Sequence, residues 1–251
     1  MFFKLSLLAE EAKGEQLVIS DQELFVFDPG VQKVYRFEYL NKRSQTLSGG
    51  EILANAKKLT VESKNRFYLA DDRGVVFWDG QAQSKRIVER EGSDYSFFSF
   101  WGNNFYILDK NKKELAKIVG LGQTYSSQQS WFAAEPSLDW EKIKDAAIDG
   151  SIWILLENGE VRKFFQGREV AFSLENNPLR PSSFLGLSES RLVVLNKENQ
   201  ILIWDKNGAW QGQVNLEINP VLDLVLSPNG EWLFLLTSGE VYDLNLNEAL
   251  S

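Results

Sequence analysis

The chain has no cysteine and no histidine, and its only methionine is Met1. Without cysteine there is no disulfide, no thiol nucleophile and no Cys-ligated zinc. The compartment stays open, because a cysteine-free domain tolerates either redox poise. Without histidine the usual base near neutral pH, the commonest metal ligand and the middle member of a hydrolytic triad are gone. Positive charge is also scarce: 27 Lys and Arg stand against 35 Asp and Glu, a net charge of −8. A protein that grips a phosphate backbone carries a basic patch or stripe. The densest basic run here, at 110–113, falls in a predicted hairpin turn and is followed by Glu114, so nucleic acid is not an expected partner. No run approaches the roughly 18 apolar residues of a membrane-spanning helix, and membrane insertion is not expected. The apolar start, FFKLSLL at 2–8, is too short for a signal peptide, lacks a small-residue cleavage site and runs straight into Glu10, Glu11 and Lys13. A sole methionine at position 1 is what a domain excised from a longer chain would show.

What the chain does have is repetition. Four apolar residues followed by a polar one at a turn recur as LFVFD, FYLAD, FYILD, WILLE, LVVLN and LFLLT, starting at 24, 67, 105, 153, 192 and 233. The spacings of 43, 38, 48, 39 and 41 residues match the period of propeller blades, each four antiparallel strands. Six units in 251 residues leave about 42 per blade and nothing over for a second domain. The expectation is therefore an all-β, six-bladed β-propeller forming a single domain over 1–251. With 43% hydrophobic residues, 8 Trp and 17 Phe, the blades have enough large flat side chains to pack face to face. Tight-turn signals separate the second and third strands: Asp72-Arg73-Gly74, Asn158-Gly159, Ser238-Gly239 and Asp28-Pro29-Gly30. Small residues on inner strands, Ala146, Ala147, Ser183 and Gly186, suit a crowded position. The last unit supplies only three strands, 221–226, 231–237 and 240–245, so residues 2–8 are expected to pair with 240–245 and close the ring. Residues 51–58 are the one stretch where a helical turn is expected.

Two third strands end in Trp-Asp, at Phe77-Trp78-Asp79 and Ile203-Trp204-Asp205. These resemble the WD-repeat family, whose blades close that strand with this dipeptide, although that family's Gly-His pair is absent. Blade number and the loose strand pattern are more similar to six-bladed NHL-like propellers. The chain resembles the propeller superfamily as a whole and no particular member of it. Lactonase-like propellers similar to this one hold a divalent cation with carboxylates and an Asn from several blades, which makes Glu141, Asp145 and Asp223 the candidate oxygens. Quinone-dependent sugar dehydrogenases of similar fold use a His base, and sialidase-like propellers carry Ser-x-Asp-x-Gly boxes; this sequence has neither.

Function is expected instead from a binding surface. The connections at 40–56 and 120–140 are the longest; the second carries Tyr125, Trp131, Phe132 and Trp140, with Pro136 stiffening it. The linker 175–181 adds Arg180 between Pro178 and Pro181. Aromatics and Arg on loops of a rigid scaffold are the usual makings of a hot spot. Tyr125, Trp131, Trp140 and Arg180 are thus the expected contacts of a non-catalytic sensor or scaffold module that binds protein, peptide or glycan. It is expected to be a monomer without a cofactor and not an enzyme. The alternative is metal-assisted hydrolysis of small lactones or sugars.

Overall fold

The computed structural model describes residues 6–9, 14–122, 124–218 and 220–251, the first of these stretches by backbone alone. It is an all-β structure of six antiparallel blades, a six-bladed β-propeller, with very little helix. The chain divides into two compact halves, residues 14–133 and residues 134–251 joined by the N-terminal strand β1 (Ser6–Ala9).

In the first half, blade one is β2 (Gln16–Ser20), β3 (Glu23–Asp28), β4 (Lys33–Glu38) and β5 (Arg43–Ser48). Blade two is β6 (Lys58–Ser63), β7 (Arg66–Asp71), β8 (Gly74–Trp78) and β9 (Ser84–Glu89). Blade three is β10 (Phe97–Trp101), β11 (Asn104–Asp109) and β12 (Glu114–Leu121), with its fourth place split between β13 (Thr124–Tyr125) and β14 (Gln129–Ser130), both paired to β12. In the second half, blade four is β15 (Ile143–Ile148), β16 (Ser151–Leu156), β17 (Val161–Phe165) and β18 (Arg168–Val170). Blade five is β19 (Ser182–Leu187), β20 (Arg191–Asn196), β21 (Gln200–Asp205) and β22 (Trp210–Asn215). Blade six is β23 (Asp223–Leu226), β24 (Trp232–Leu236) and β25 (Val241–Asn245). Its fourth strand is β1, antiparallel to β25 with Ser6 opposite Asp243 and Leu7 opposite Tyr242. The expected pairing of the N-terminus with the last blade is present over Ser6–Ala9; positions 2–5 lie outside the described residues.

The apolar runs form second strands because those strands are buried on both faces. In β7, Phe67 and Leu69 pack against Phe25, Phe27 and Leu59 of the first two blades, while Tyr68 and Ala70 turn to Phe98, Phe105 and Ile107 of the third. Alternation sends successive side chains to opposite faces, and here both faces are core, so the run reads as continuous. The same division operates in β20, where Val194 joins Trp153 and Trp204 and Val193 joins Leu224 and Leu235. The fourth strands of blades one and four are mostly exposed, as in β5, where only Leu47 is even partly buried. Gly186 has the close approach expected of an inner strand: a Cβ there would stand 2.8 Å from Leu224 Cδ1 and 2.6 Å from Val193 Cγ2.

Both Trp-Asp dipeptides do one structural job. Trp78 and Trp204 are fully buried. Their indole N–H groups donate to the carbonyls of Gln81 (3.1 Å) and Glu175 (2.7 Å). Asp79 accepts from the Gln81 and Gln83 N–H groups at 2.8 and 3.0 Å, and Asp205 from Asn207 and Ala209 at 2.8 and 2.9 Å. Each Trp fills the space between blades while each Asp caps the following turn. Among the described residues helix is confined to α1 (Glu51–Ala54), where a turn was expected, α2 (Leu246–Ala249) and a 3-10 turn at Trp140–Lys142. The second helix carries a local signal: Asn245 Oδ1 accepts from Asn247 N and Glu248 N, an N-cap with an acid three residues on.

Candidate functional site

Inner strands are stitched to those of the next blade by polar side chains. Gln16 on β2 makes two bonds to Leu59 on β6, at 3.0 and 2.9 Å. Thr60 Oγ1 on β6 accepts from Phe100 N on β10 at 3.1 Å. Asp145 on β15 accepts from Leu185 N on β19 through Oδ2 and from Ala146 N through Oδ1, both at 2.8 Å. The carboxylate proposed as a cation ligand is therefore the third member of a structural series. Asp223 on β23 likewise turns Oδ1 to Leu224 N at 2.8 Å. Among the described residues no three acids converge on a point where they would share a metal. The donor set expected for a divalent cation, which asks for six or more oxygens, does not fit these residues.

The four expected contact residues fall in two groups. Tyr125 and Trp131 belong to the first half. Tyr125 is half-buried, its ring 4.9 Å from Phe105 and its hydroxyl 3.4 Å from that of Tyr68. Trp131 extends the edge of blade three by donating its N–H to Leu115 O at 2.8 Å, and its ring meets Phe132 edge-on at 5.5 Å. Trp140 and Arg180 belong to the second half. Trp140 sits on the 3-10 turn and is only 5% exposed, so it anchors its linker from beneath. Arg180 is partly exposed, ion-paired with Glu198 and bonded to Gln200 Oε1 at 3.2 Å.

Around Trp140 and Arg180 the fold brings together three segments distant in sequence: residues 136–142, the β16–β17 turn and Pro181. They line an open groove of about 690 Å3. The turn is held against the linker by Asn177, whose side chain donates to Gly159 O at 3.0 Å. Gly159 is required there, since its φ is +86° and a Cβ would meet Arg180 O at 2.5 Å. Arg162 of β17 ties the wall together, ion-paired with Glu169 of β18 and donating to the Ser137 carbonyl. Charges of both signs alternate around the opening. Lys142 pairs with Asp139 at 3.1 Å, and Glu157 lies 3.2 Å from Lys144 and 3.8 Å from Lys197. The Lys144 ammonium holds the Glu157 carboxyl below its usual range. Such a surface presents fixed donors, acceptors and a few apolar patches (Pro136, Leu138, Leu156 and Pro181).

No family model matches the chain, and no curated protein matches its sequence. Solved structures do share its fold. A gluconolactonase from Xanthomonas campestris is similar with a TM-score of 0.69 at 13% identity, over 96% of this chain and 89% of that one. The calcium-binding protein regucalcin from Agrobacterium tumefaciens is similar at 0.62 and 11% identity, over 97% and 93%. Virginiamycin B lyase from Staphylococcus aureus is similar at 0.58 and 12%, over 91% and 79%. Likeness at such identity is likeness of fold alone, and the fold shared is the β-propeller. It also corrects one expectation. The chain was expected not to be an enzyme, yet a gluconolactonase and a lyase are built on the same fold; the architecture carries no argument against catalysis.

Proposed function

We propose that the chain recognises an extended peptide of mixed charge in the groove formed by residues 136–142, the β16–β17 turn and Pro181. The observation that carries this is the convergence of those three segments on one open groove with paired acids and bases at its rim. A glycan would call for an exposed aromatic platform to stack on, and the tryptophan here is buried. Arg180, partly exposed and ion-paired with Glu198, stands next to the lining residue Pro181, and arginine is enriched among hot spots. Trp140 acts indirectly, by fixing the linker that forms one wall. Selection from a random peptide display library on the immobilised protein tests this. Enriched peptides should lose binding to Arg180→Ala and to a groove-blocking Ser137→Trp variant, with both variants still folded. Peptides indifferent to both changes would refute the proposal.

A second reading, hydrolysis of a small lactone, draws support from the fold shared with a gluconolactonase over 96% of this chain. Glucono-lactone turnover with and without EDTA tests it directly. Because Asp145 is occupied by backbone N–H groups, any such activity should survive Asp145→Asn, provided the variant folds.

A further inference from the structure

On the other side of Arg162 the second half holds a cluster that the peptide groove does not use. Trp153 of β16 is fully buried, and two ammonium groups lie against its indole: Lys163 Nζ at 4.3 Å and Lys206 Nζ at 4.6 Å from the ring centroid. Lys163 is there because β16 and β17 pair in a register that sets Lys163 opposite Trp153, on the same face. Lys206 arrives from the turn after β21. The two cations are not equivalent. Lys206 is ion-paired with Asp149, whose Oδ1 also accepts the Trp153 indole N–H at 2.9 Å and the Ser151 N–H at 3.1 Å. Burial pushes the Asp149 carboxyl up, but Lys206 and Trp153 outweigh it and hold the group below its usual range. Burial lowers the Lys206 ammonium, and the nearby charge of Lys163 adds to that. Asp149 is thus fully engaged by Lys206, and among the described residues no carboxylate lies within ion-pair distance of Lys163.

Lys163 borders a groove of about 480 Å3 whose other walls include Phe172, Val170, Leu174 and Leu179. Phe172 stands edge-on to Trp153 at 4.9 Å, and the Lys163 ammonium is 5.8 Å from its ring centroid. Val170 and Leu179 are exposed, at 39% and 57%. Of the other charges lining this groove, Arg162 is taken by Glu169, and Glu160 is one further acid, on the β16–β17 turn. A volume of this size suits a small molecule, and such sites combine apolar walls with a few placed polar groups.

We infer that this groove binds a small organic carboxylate with a flat apolar body, its carboxylate on the Lys163 ammonium and its body against Phe172 and Leu179. An inorganic anion would leave the apolar wall unused, and a neutral aromatic would leave the ammonium without an anionic partner. The inference is independent of the peptide groove, and either can fail alone. The test is calorimetric titration of the whole protein with 2-naphthoate and, in parallel, with neutral 2-naphthamide. Naphthoate should bind saturably and about tenfold more tightly than the amide, the difference expected of one charge-assisted hydrogen bond. Lys163→Gln should abolish that preference while Lys163→Arg keeps it. No saturable binding of naphthoate, equal affinity for the two probes, or an undiminished preference in Lys163→Gln would each overturn the inference. If Lys163→Gln does not fold, the Lys163 ammonium resonance in the parent protein serves instead: it should shift with naphthoate along the calorimetric curve, and an unmoved resonance overturns the inference.

Discussion

Replacing Trp204 puts a number on how blade packing supports the site. The side chain is fully buried between blades four and five, in a cluster with Trp153, Leu155, Leu192 and Val194. It meets Trp210 edge-on at 5.3 Å, and its indole N–H donates to Glu175 O at 2.7 Å, where the linker to blade five begins. Trp204→Ala removes the packing and leaves a cavity, which costs about 3–5 kcal/mol for a large aromatic in a core. Trp204→Phe keeps most of the volume and loses the hydrogen bond to an exposed residue's carbonyl, which costs about 0.5–1.5 kcal/mol. Urea unfolding followed by circular dichroism should show both losses as midpoint shifts at constant slope. The phenylalanine variant has a functional consequence as well: with one of the bonds that hold Glu175 lost, residues 175–181 should exchange amide hydrogens faster than in the parent. A cost below about 1 kcal/mol for the alanine variant would refute the assignment of the Trp-Asp dipeptides to inter-blade packing.

Three further outcomes follow from the same contacts. Gly159→Ala meets both a positive φ and the Arg180 carbonyl, so it should cost about 1–3 kcal/mol and open the linker to proteolysis; an unchanged digestion pattern would contradict the clasp. Deleting residues 1–9 strips β1 from β25 and bares a sheet edge, so the truncated protein should melt several degrees lower and aggregate more readily, and an equal melting temperature would refute the pairing. Asp71 accepts from both Arg86 nitrogens at 2.8 and 2.5 Å; burial pushes its carboxyl up, but Arg86 and the Arg73 and Gly74 N–H groups hold it below its ordinary value. A carboxyl depressed in the folded state stabilises above that ordinary value and loses the contribution as pH falls through the folded one. Thermal melts should therefore drop below about pH 4, less steeply in Asp71→Asn, and identical acid slopes would contradict the pair's contribution.

Strands buried on both faces were the most legible part of the fold, because a doubly buried strand has no polar residue to interrupt it. The runs that start at Phe105 and Leu192 each fall inside a second strand, β11 and β20, one residue after its start. Outer strands were harder. The edge strand at Arg168–Val170 has three exposed residues, which carry little pattern. Inner-strand polar residues misled more. Asp145 reads as a loop acid or ligand, whereas its partner is a backbone N–H forty residues away in another blade. Of the contact residues, Arg180 was placed in a linker that does border a groove, but nothing local distinguishes a loop tryptophan that faces solvent from one that anchors, as Trp140 does. The Lys163, Trp153 and Lys206 cluster was missed. Its members come from two blades and meet only through the packing of one against the other, which no short window contains.

The most direct test of the proposed recognition surface is a hydrogen-exchange footprint of the whole protein with a peptide selected on it. Slowed exchange should be confined to residues 136–142, 156–162 and the segment around Pro181. Protection concentrated elsewhere, or none at saturating peptide, would contradict the assignment of this groove as the binding site.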